Sequence, residues 1–113
     1  MSEQIQNIIY QKPRKWSALV VGRAGLDLYP QPSGSKTKLA KSFASDVGGS
    51  GGNIAIAMKR SGGHIALISA LSDDPVGSFV KNRLIEEGID INLMQTTHGN
   101  ERTSLAIAEE RPT

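Results

Sequence analysis

Apolar residues along this chain form short unbroken runs separated by longer amphipathic stretches. Residues 18–22 (Ala-Leu-Val-Val-Gly) and 65–68 (Ile-Ala-Leu-Ile) are such runs, and residues 89–94 lead to a third. A short unbroken apolar run is typical of a strand buried on both faces of a parallel sheet. Because the stretches between the runs have helical spacing, the order strand–helix–strand–helix–strand predicts an α/β fold with right-handed crossovers.

Two helices are predicted between these runs. The first follows a glycine-rich segment at residues 48–52 and ends at Gly62-Gly63. The second begins at Asp73-Asp74-Pro75, where we expect Asp73 to cap the helix, and ends at Gly88. The spacing predicts as core-facing Ile54, Ala57, Met58 and Ser61 in the first helix, and Val76, Phe79, Val80 and Leu84 in the second.

Two further segments do not fit the alternation of strands and helices. Residues 36–47 and 101–110 look like additional strands, possible members of a separate small sheet, and residues 29–38 contain the breakers of a loop. Residues 106–113 look like one arm of a hairpin without a return strand. Since three parallel strands are also few for an α/β domain, we expect an incomplete fold and interpret the chain as a fragment.

Composition narrows the classes of function. The net charge is only +2, and much of the excess lies in Lys12, Arg14 and Lys15, so we expect no nucleic-acid partner. The chain has no cysteine and two isolated histidines, which argues against a metal site. No apolar stretch reaches the roughly 18 residues of a membrane span, and residues 1–16 resemble a flexible lead-in rather than a signal peptide. We therefore expect a cytoplasmic protein without a membrane partner.

The glycine-rich segment carries the clearest chemistry. In Gly48-Gly49-Ser50-Gly51-Gly52-Asn53, four glycines leave main-chain N–H groups uncovered at the positive end of a helix. Asn53 adds a side chain that both donates and accepts hydrogen bonds. The segment therefore predicts a site for a polar or anionic small molecule. The alternative is a tight strand-to-helix connection or a linker. A dinucleotide fingerprint is disfavoured, because Ile54 stands where the third glycine belongs.

Other polar residues allow two interpretations each. Asp27 follows the first strand, where ligand contact is favoured over turn capping. Arg23 is a candidate for an anionic substrate or for pairing with a neighbouring carboxylate. Thr103 is a candidate to face a ligand or to pack within its strand. Asp73 and Asp74 are interpreted as helix-capping rather than catalytic residues.

Four motifs, in order and spacing, resemble the N-terminal part of the ribokinase-like (PfkB) carbohydrate kinases. They are residues 21–30 (Val-Gly-Arg-Ala-Gly-Leu-Asp-Leu-Tyr-Pro), 48–53, 71–77 (Leu-Ser-Asp-Asp-Pro-Val-Gly) and 87–90 (Glu-Gly-Ile-Asp). The first is most similar to the 5-dehydro-2-deoxygluconokinase branch, which belongs to inositol catabolism. The resemblance runs from about Ser17 to the last residue, so residues 17–113 are taken as part of a kinase domain.

The resemblance implies a parallel sheet with helices on its faces and a small β-sheet lid, with residues 36–47 and 101–110 as lid strands. It also implies which residues hold the sugar: Asp27, Gly48, Gly49 and Asn53, with Arg23 and Thr103 as further candidates. Two positions depart from ribokinases. Gly25 stands where many have Asn, and Ser50 stands where they often have Lys, which indicates a different sugar.

The family's catalytic Asp, in an Asp-Thr-x-Gly-Ala-Gly-Asp motif, does not occur in residues 1–113. The resemblance therefore implies catalytic residues beyond Thr113. ATP and Mg²⁺ would serve the full-length enzyme, and we expect the fragment to bind neither and to lack kinase activity.

Three functions remain open at this point. The leading one is the sugar-binding part of an ATP-dependent kinase acting on a hydroxyl of a sugar or keto-acid. The second is a non-catalytic remnant that binds sugar or pairs with other subunits, and a homodimer through the lid strands is compatible with both. The third is a nucleoside-kinase relative, which is disfavoured because Phe43 is the only aromatic residue in the lid segments. The sequence does not specify the sugar or the oligomeric state.

Overall fold

The computed structural model describes residues 16–110, which form an α/β fold of two parts. The strands are β1 Ala18–Val21, β2 Gly25–Gln31, β3 Ser42–Gly48, β4 Ile65–Ile68, β5 Ala70–Ser72, β6 Gln95–Thr97 and β7 Ser104–Ile107. The α-helices are α1 Ser50–Arg60 and α2 Pro75–Glu86, and a 3₁₀ turn covers Thr37–Leu39. We call β2, β3 and β7 the lid sheet and the remaining strands and α-helices the body.

The body is built on parallel strand pairs, as the apolar runs predict. Strand β1 pairs with β4, from Ala18 opposite Ile65 to Val21 opposite Ile68. Strand β5 pairs in parallel with β6, and an isolated parallel bridge joins Ala66 to Asp90. The predicted third strand therefore consists of this bridge followed by β6. The most deeply buried large side chains belong to β4 and α2, and they are Ile65, Leu67, Val80 and Leu84.

Helix α1 faces the core with residues other than those predicted. Its buried residues are Gly51, Gly52, Ala55 and Ile56, whereas Ile54 is 51% exposed and Met58 is 37% exposed. Ala57 and Ser61 are also exposed, so the predicted face was wrong. The reason is the close contact at the start of the helix: a Cβ on Gly51 would lie 2.5 Å from the carbonyl carbon of Gly22. The glycines, which add little to an apolar pattern, set the rotation of α1.

Helix α2 has the predicted core face and a different cap. Val80 and Leu84 are buried, and Val76 and Phe79 are partly buried against the same core. The capping carboxylate belongs to Asp74, whose Oδ1 accepts a hydrogen bond from the Gly77 N–H at 2.8 Å. Asp73 was therefore the wrong choice of capping residue.

The lid sheet has the order β3-β2-β7 and confirms the separate small sheet. Strand β2 is antiparallel to β3 and parallel to β7, with Gly25 opposite both Gly48 and Ser104. The predicted loop at 29–38 begins too early, because β2 continues through Pro30 to Gln31. Pairing with β7 ends at Leu28, so Pro30 lies where β2 has a neighbour on one side only, a position that tolerates proline. The two lid segments are strands only at Ser42–Gly48 and Ser104–Ile107.

Trp16, the first residue that the structure describes, packs into the body. Trp16, which was assigned to the flexible segment 1–16, is buried, and its Nε1 donates to Asp90 Oδ2 at 2.6 Å. It packs with Ala66, Ile68 and Leu93. The rest of that predicted segment lies outside the described residues. None of the helices within residues 16–110 combines the length and the apolar character that a membrane span requires.

Candidate functional site

Asp27 and Gly48 are brought together by the register of β2 and β3. Asp27 lies opposite Asp46, so its side chain is on the same face of the lid sheet as the diagonal neighbour Gly48. A Cβ on Gly48 would overlap the Asp27 carboxylate, Oδ1 first of all. The missing side chain at Gly48 therefore gives the carboxylate the space that it occupies.

Gly49 connects the lid sheet to α1 in a conformation that favours glycine. Its φ is +83°, and a Cβ there would lie 2.5 Å from the Arg23 carbonyl oxygen. The same oxygen accepts a hydrogen bond from the Gly52 N–H at 3.1 Å. The glycine-rich segment is thus held against residues 22–24, between β1 and β2, rather than acting as a free linker.

Asn53 lies in the first turn of α1 with an exposed side chain. Its main-chain N–H donates to the Gly49 carbonyl at 3.0 Å, and no hydrogen bond of its side-chain amide is found within residues 16–110. No side chain from the described residues caps α1, and its first turn contains no acidic residue. The exposed Ser50 N–H and the Asn53 side-chain amide are therefore available to a polar ligand, whereas the Gly52 N–H is used by the Arg23 carbonyl.

Tyr29 is a neighbour of Asp27 that the sequence analysis missed. It is two residues further along β2, on the same face, and its hydroxyl donates to Asp27 Oδ2 at 3.4 Å. Burial, then the negative charge of Asp27 and this hydrogen bond, raise the pKa of Tyr29 above its ordinary value. The phenol therefore stays protonated at neutral pH and orients the carboxylate. The two-residue period of a strand could have indicated it.

Thr103 lies between the lid sheet and the body and is 8% exposed. Its N–H donates to Ser72 Oγ at 2.9 Å, the Ser72 N–H donates to Thr103 Oγ1 at 2.8 Å, and the two hydroxyl oxygens are 2.7 Å apart. These bonds occupy the Thr103 hydroxyl, so the structure favours its packing interpretation over a ligand contact. Ser72 was not singled out from the sequence.

Arg23 has an exposed side chain at the carboxyl end of β1. It lines a cavity of about 380 Å³ together with residues of β1, β4, β5 and β6. Within residues 16–110 no carboxylate forms an ion pair with its guanidinium. A structural partner for Arg23 is therefore not found in the described part of the chain.

A second cavity, of about 300 Å³, lies beside the start of α2 and includes Asp73, Lys81 and Asn92 in its lining. None of the sugar-contacting candidates lines it. Asp73 is exposed and lies 3.4 Å from His98 Nδ1. Residues 16–110 contain no group of three or more His, Cys, Asp or Glu side chains suited to a metal ion.

Known proteins resemble this chain in sequence. The 5-dehydro-2-deoxygluconokinase of Photobacterium profundum is 37% identical over 105 residues, which make up 93% of this chain and 32% of that relative. The 5-dehydro-2-deoxygluconokinase of Clostridium tetani is 31% identical over 102 residues, or 90% of this chain and 30% of the relative. The chain thus spans about a third of the length of these curated relatives.

Solved structures resemble it in fold. The crystal structure of a fructokinase from Xylella fastidiosa with bound ATP matches with a TM-score of 0.66 and 29% identity, over 79% of this chain and 28% of that one. The family described as pfkB family carbohydrate kinase matches residues 16–113. The four motifs, the α/β body and this match agree, and the chain belongs to the pfkB family of carbohydrate kinases.

Proposed function

We propose that this chain is the sugar-holding part of an ATP-dependent carbohydrate kinase. The observation that carries the proposal is the placement of the Asp27 carboxylate over Gly48, next to the uncapped start of α1. A carboxylate accepts hydrogen bonds from hydroxyl groups, and main-chain N–H groups at a helix start donate to polar oxygens. Both kinds of partner are thereby offered to one small polyhydroxylated molecule.

In this proposal each residue binds or orients the sugar. Asp27 accepts from sugar hydroxyls, and Tyr29 holds the carboxylate through its 3.4 Å hydrogen bond. Gly49 lets the main chain approach the sugar, and Asn53 donates and accepts from the first turn of α1. Phosphoryl transfer depends on positioning, so holding the acceptor hydroxyl is this part's contribution. ATP would supply the transferred group.

The substrate class is proposed from the relatives. The curated relatives carry the name of a gluconate derivative, which is a sugar acid. We therefore propose a hydroxyl of a keto-acid sugar as the phosphoryl acceptor. Gly25 and Ser50 agree with this, since both depart from the ribokinase pattern.

Pairing of subunits is a second candidate function, favoured by the exposed part of the lid-sheet face opposite Asp27, the face on which Leu26 and Val47 pack into the core. Phe43, Leu105 and Ile107 alternate away from Asp27 and are 39%, 50% and 48% exposed. Exposed apolar side chains grouped on one face indicate an interaction surface. We propose that this face pairs with a second copy of the chain while the Asp27 face remains open to the sugar.

Calorimetric titration of D-gluconate into the full chain tests the sugar-holding function. We expect Asp27→Ala and Asn53→Ala each to lower the affinity about tenfold, since each removes a hydrogen bond to a hydroxyl. Asp73→Ala is the matched control, because Asp73 is an exposed carboxylate outside the site, and we expect unchanged affinity. Equal binding by wild type and folded Asp27→Ala would show that the sugar is held elsewhere.

A further inference from the structure

A cavity with a single charged group lies where the parallel strands β1 and β4 end. Its polar side chains are those of Arg23, Ser69 and Gln95, and Val21, Ile68 and Ala70 contribute apolar walls. The carboxyl ends of parallel strands are where ligands of α/β proteins commonly bind. Asp27, Gly49 and Asn53 do not line this cavity, so it is separate from the group that we assign to the sugar hydroxyls.

The loops that carry the polar groups are fixed by main-chain bonds. The Arg23 carbonyl accepts from the Gly52 N–H, and the Gln95 N–H donates to the Ser69 carbonyl at 2.9 Å. These bonds use main-chain atoms only, and no hydrogen bond of the Arg23, Ser69 or Gln95 side chain is found within residues 16–110. The side chains of Arg23, Ser69 and Gln95 are therefore available to a ligand, while hydrogen bonds hold the main chain that carries them.

The positive charge of Arg23 indicates the chemical class of ligand that this cavity would bind. Among the described residues, Arg23 is the only ionisable one in the lining, and no carboxylate there neutralises it. A guanidinium fork binds planar carboxylates in a bidentate manner. The apolar walls suit a carboxylate attached to a carbon chain better than a free, strongly hydrated phosphate ion.

The cavity and the sugar-holding group share one segment of main chain. Residues 22–24 contact the glycine-rich segment, where a Cβ on Gly49 would meet the Arg23 carbonyl and one on Gly51 would meet Gly22. Asp27 follows only four residues after Arg23. We propose that Arg23, with Ser69 and Gln95, forms a carboxylate subsite that selects acidic over neutral sugars, which rests on the proposed sugar-holding function.

The test compares D-gluconate with D-glucitol, the neutral polyol of the same carbon number, by NMR titration of the full chain. We expect gluconate to shift the Arg23 Nε–H signal and to bind about tenfold more tightly than glucitol. Arg23→Gln should remove that preference and leave glucitol binding unchanged. Lys41→Gln is the control, because Lys41 is an exposed cation immediately before β3, and it should keep the preference.

The outcomes separate the subsite from the function on which it rests. If Arg23→Gln still prefers gluconate while both compounds shift the amides of residues 48–53, the subsite is overturned and the sugar-holding function stands. If neither compound shifts those amides in the wild type, both are overturned. A shift of the Arg23 signal by inorganic phosphate at lower concentration than by gluconate would identify a phosphate site and also overturn the carboxylate assignment.

Discussion

The positions of individual side chains in the site depend partly on contacts between residues that are distant in sequence. Asp27 lies shortly after the first apolar strand, as the sequence indicates, but Gly48 matters through its diagonal position across two strands. Ser72 was missed for the same reason, since its partner Thr103 is 31 residues away along the chain. Tyr29 could have been found, since it lies two residues from Asp27 in the same strand. The role of Asp27 itself stays a prediction until a ligand is bound.

The helix cap is a residue whose effect can be measured through pH. The Gly77 N–H, the Ser72 hydroxyl and the Arg102 charge hold the pKa of Asp74 below its ordinary value. A carboxyl with a depressed folded-state pKa adds stability above its unfolded pKa, about 3.9, and loses it as pH falls through the lower folded pKa. Asp74→Ala should therefore lower Tm at neutral pH, and the deficit should shrink as pH falls below about 4.

Thermal unfolding followed by circular dichroism between neutral and acidic pH measures this difference. Asp73→Ala is the matched control, because it removes the adjacent exposed carboxylate without touching the cap, and its Tm should follow that of wild type. A pH-independent Tm deficit in Asp74→Ala would contradict the electrostatic account of the cap.

Secondary structure elements were predicted well where large apolar side chains mark the buried side of the element. Strand β4 and α2 have the predicted core residues because large apolar side chains carry the pattern. The prediction of a buried strand at residues 18–22 was only partly right, since Val20 is buried and Val21 is 70% exposed. The rotation of α1 was not predictable from that pattern, since its buried face begins with Gly51 and Gly52. The extent of β2 was missed because Pro30 normally ends a strand, and only the sheet order shows that pairing is one-sided there.

The junction of β5 with the start of β7 is expected to hold the lid sheet on the body. Thr103→Val keeps the side-chain shape and leaves the buried Ser72 N–H without its acceptor, while the Ser72 hydroxyl loses the Thr103 hydroxyl and keeps the Thr103 N–H. We expect a loss of about 1–3 kcal/mol in unfolding free energy, with Thr103→Ser retaining most of the stability. Urea denaturation measures it, with Thr96→Val on exposed β6 as the control. Equal stability of Thr103→Val and wild type would exclude this role.

The whole molecule combines a body and a lid sheet whose face opposite Asp27 is buried at Leu26 and Val47 and exposed at Phe43, Leu105 and Ile107. The family match covers residues 16–113, yet the chain spans about a third of its curated relatives, so the activity of the whole enzyme remains a proposal here. The α/β class and the lid were predictable from the order of apolar runs and the motifs. The exposure of Phe43, Leu105 and Ile107 on one face required the sheet register.

For the whole molecule we predict self-association through the exposed part of the lid-sheet face opposite Asp27. We expect the wild-type chain to dimerise with rising concentration in sedimentation velocity. Ile107→Lys, which places a charge in the apolar face, should shift the chain to monomer. Thr96→Lys adds the same charge to the body and should not. A wild-type chain that remains monomeric at every concentration would contradict the pairing surface.

The most direct measurement of the central claim is an isotope-filtered NOE experiment on the labelled chain with unlabelled D-gluconate. The account predicts contacts from the ligand protons to the Gly49 amide and to the side-chain amide of Asn53, at the uncapped start of α1. Contacts confined to the cavity beside α2, at Lys81 and Asn92, would contradict it.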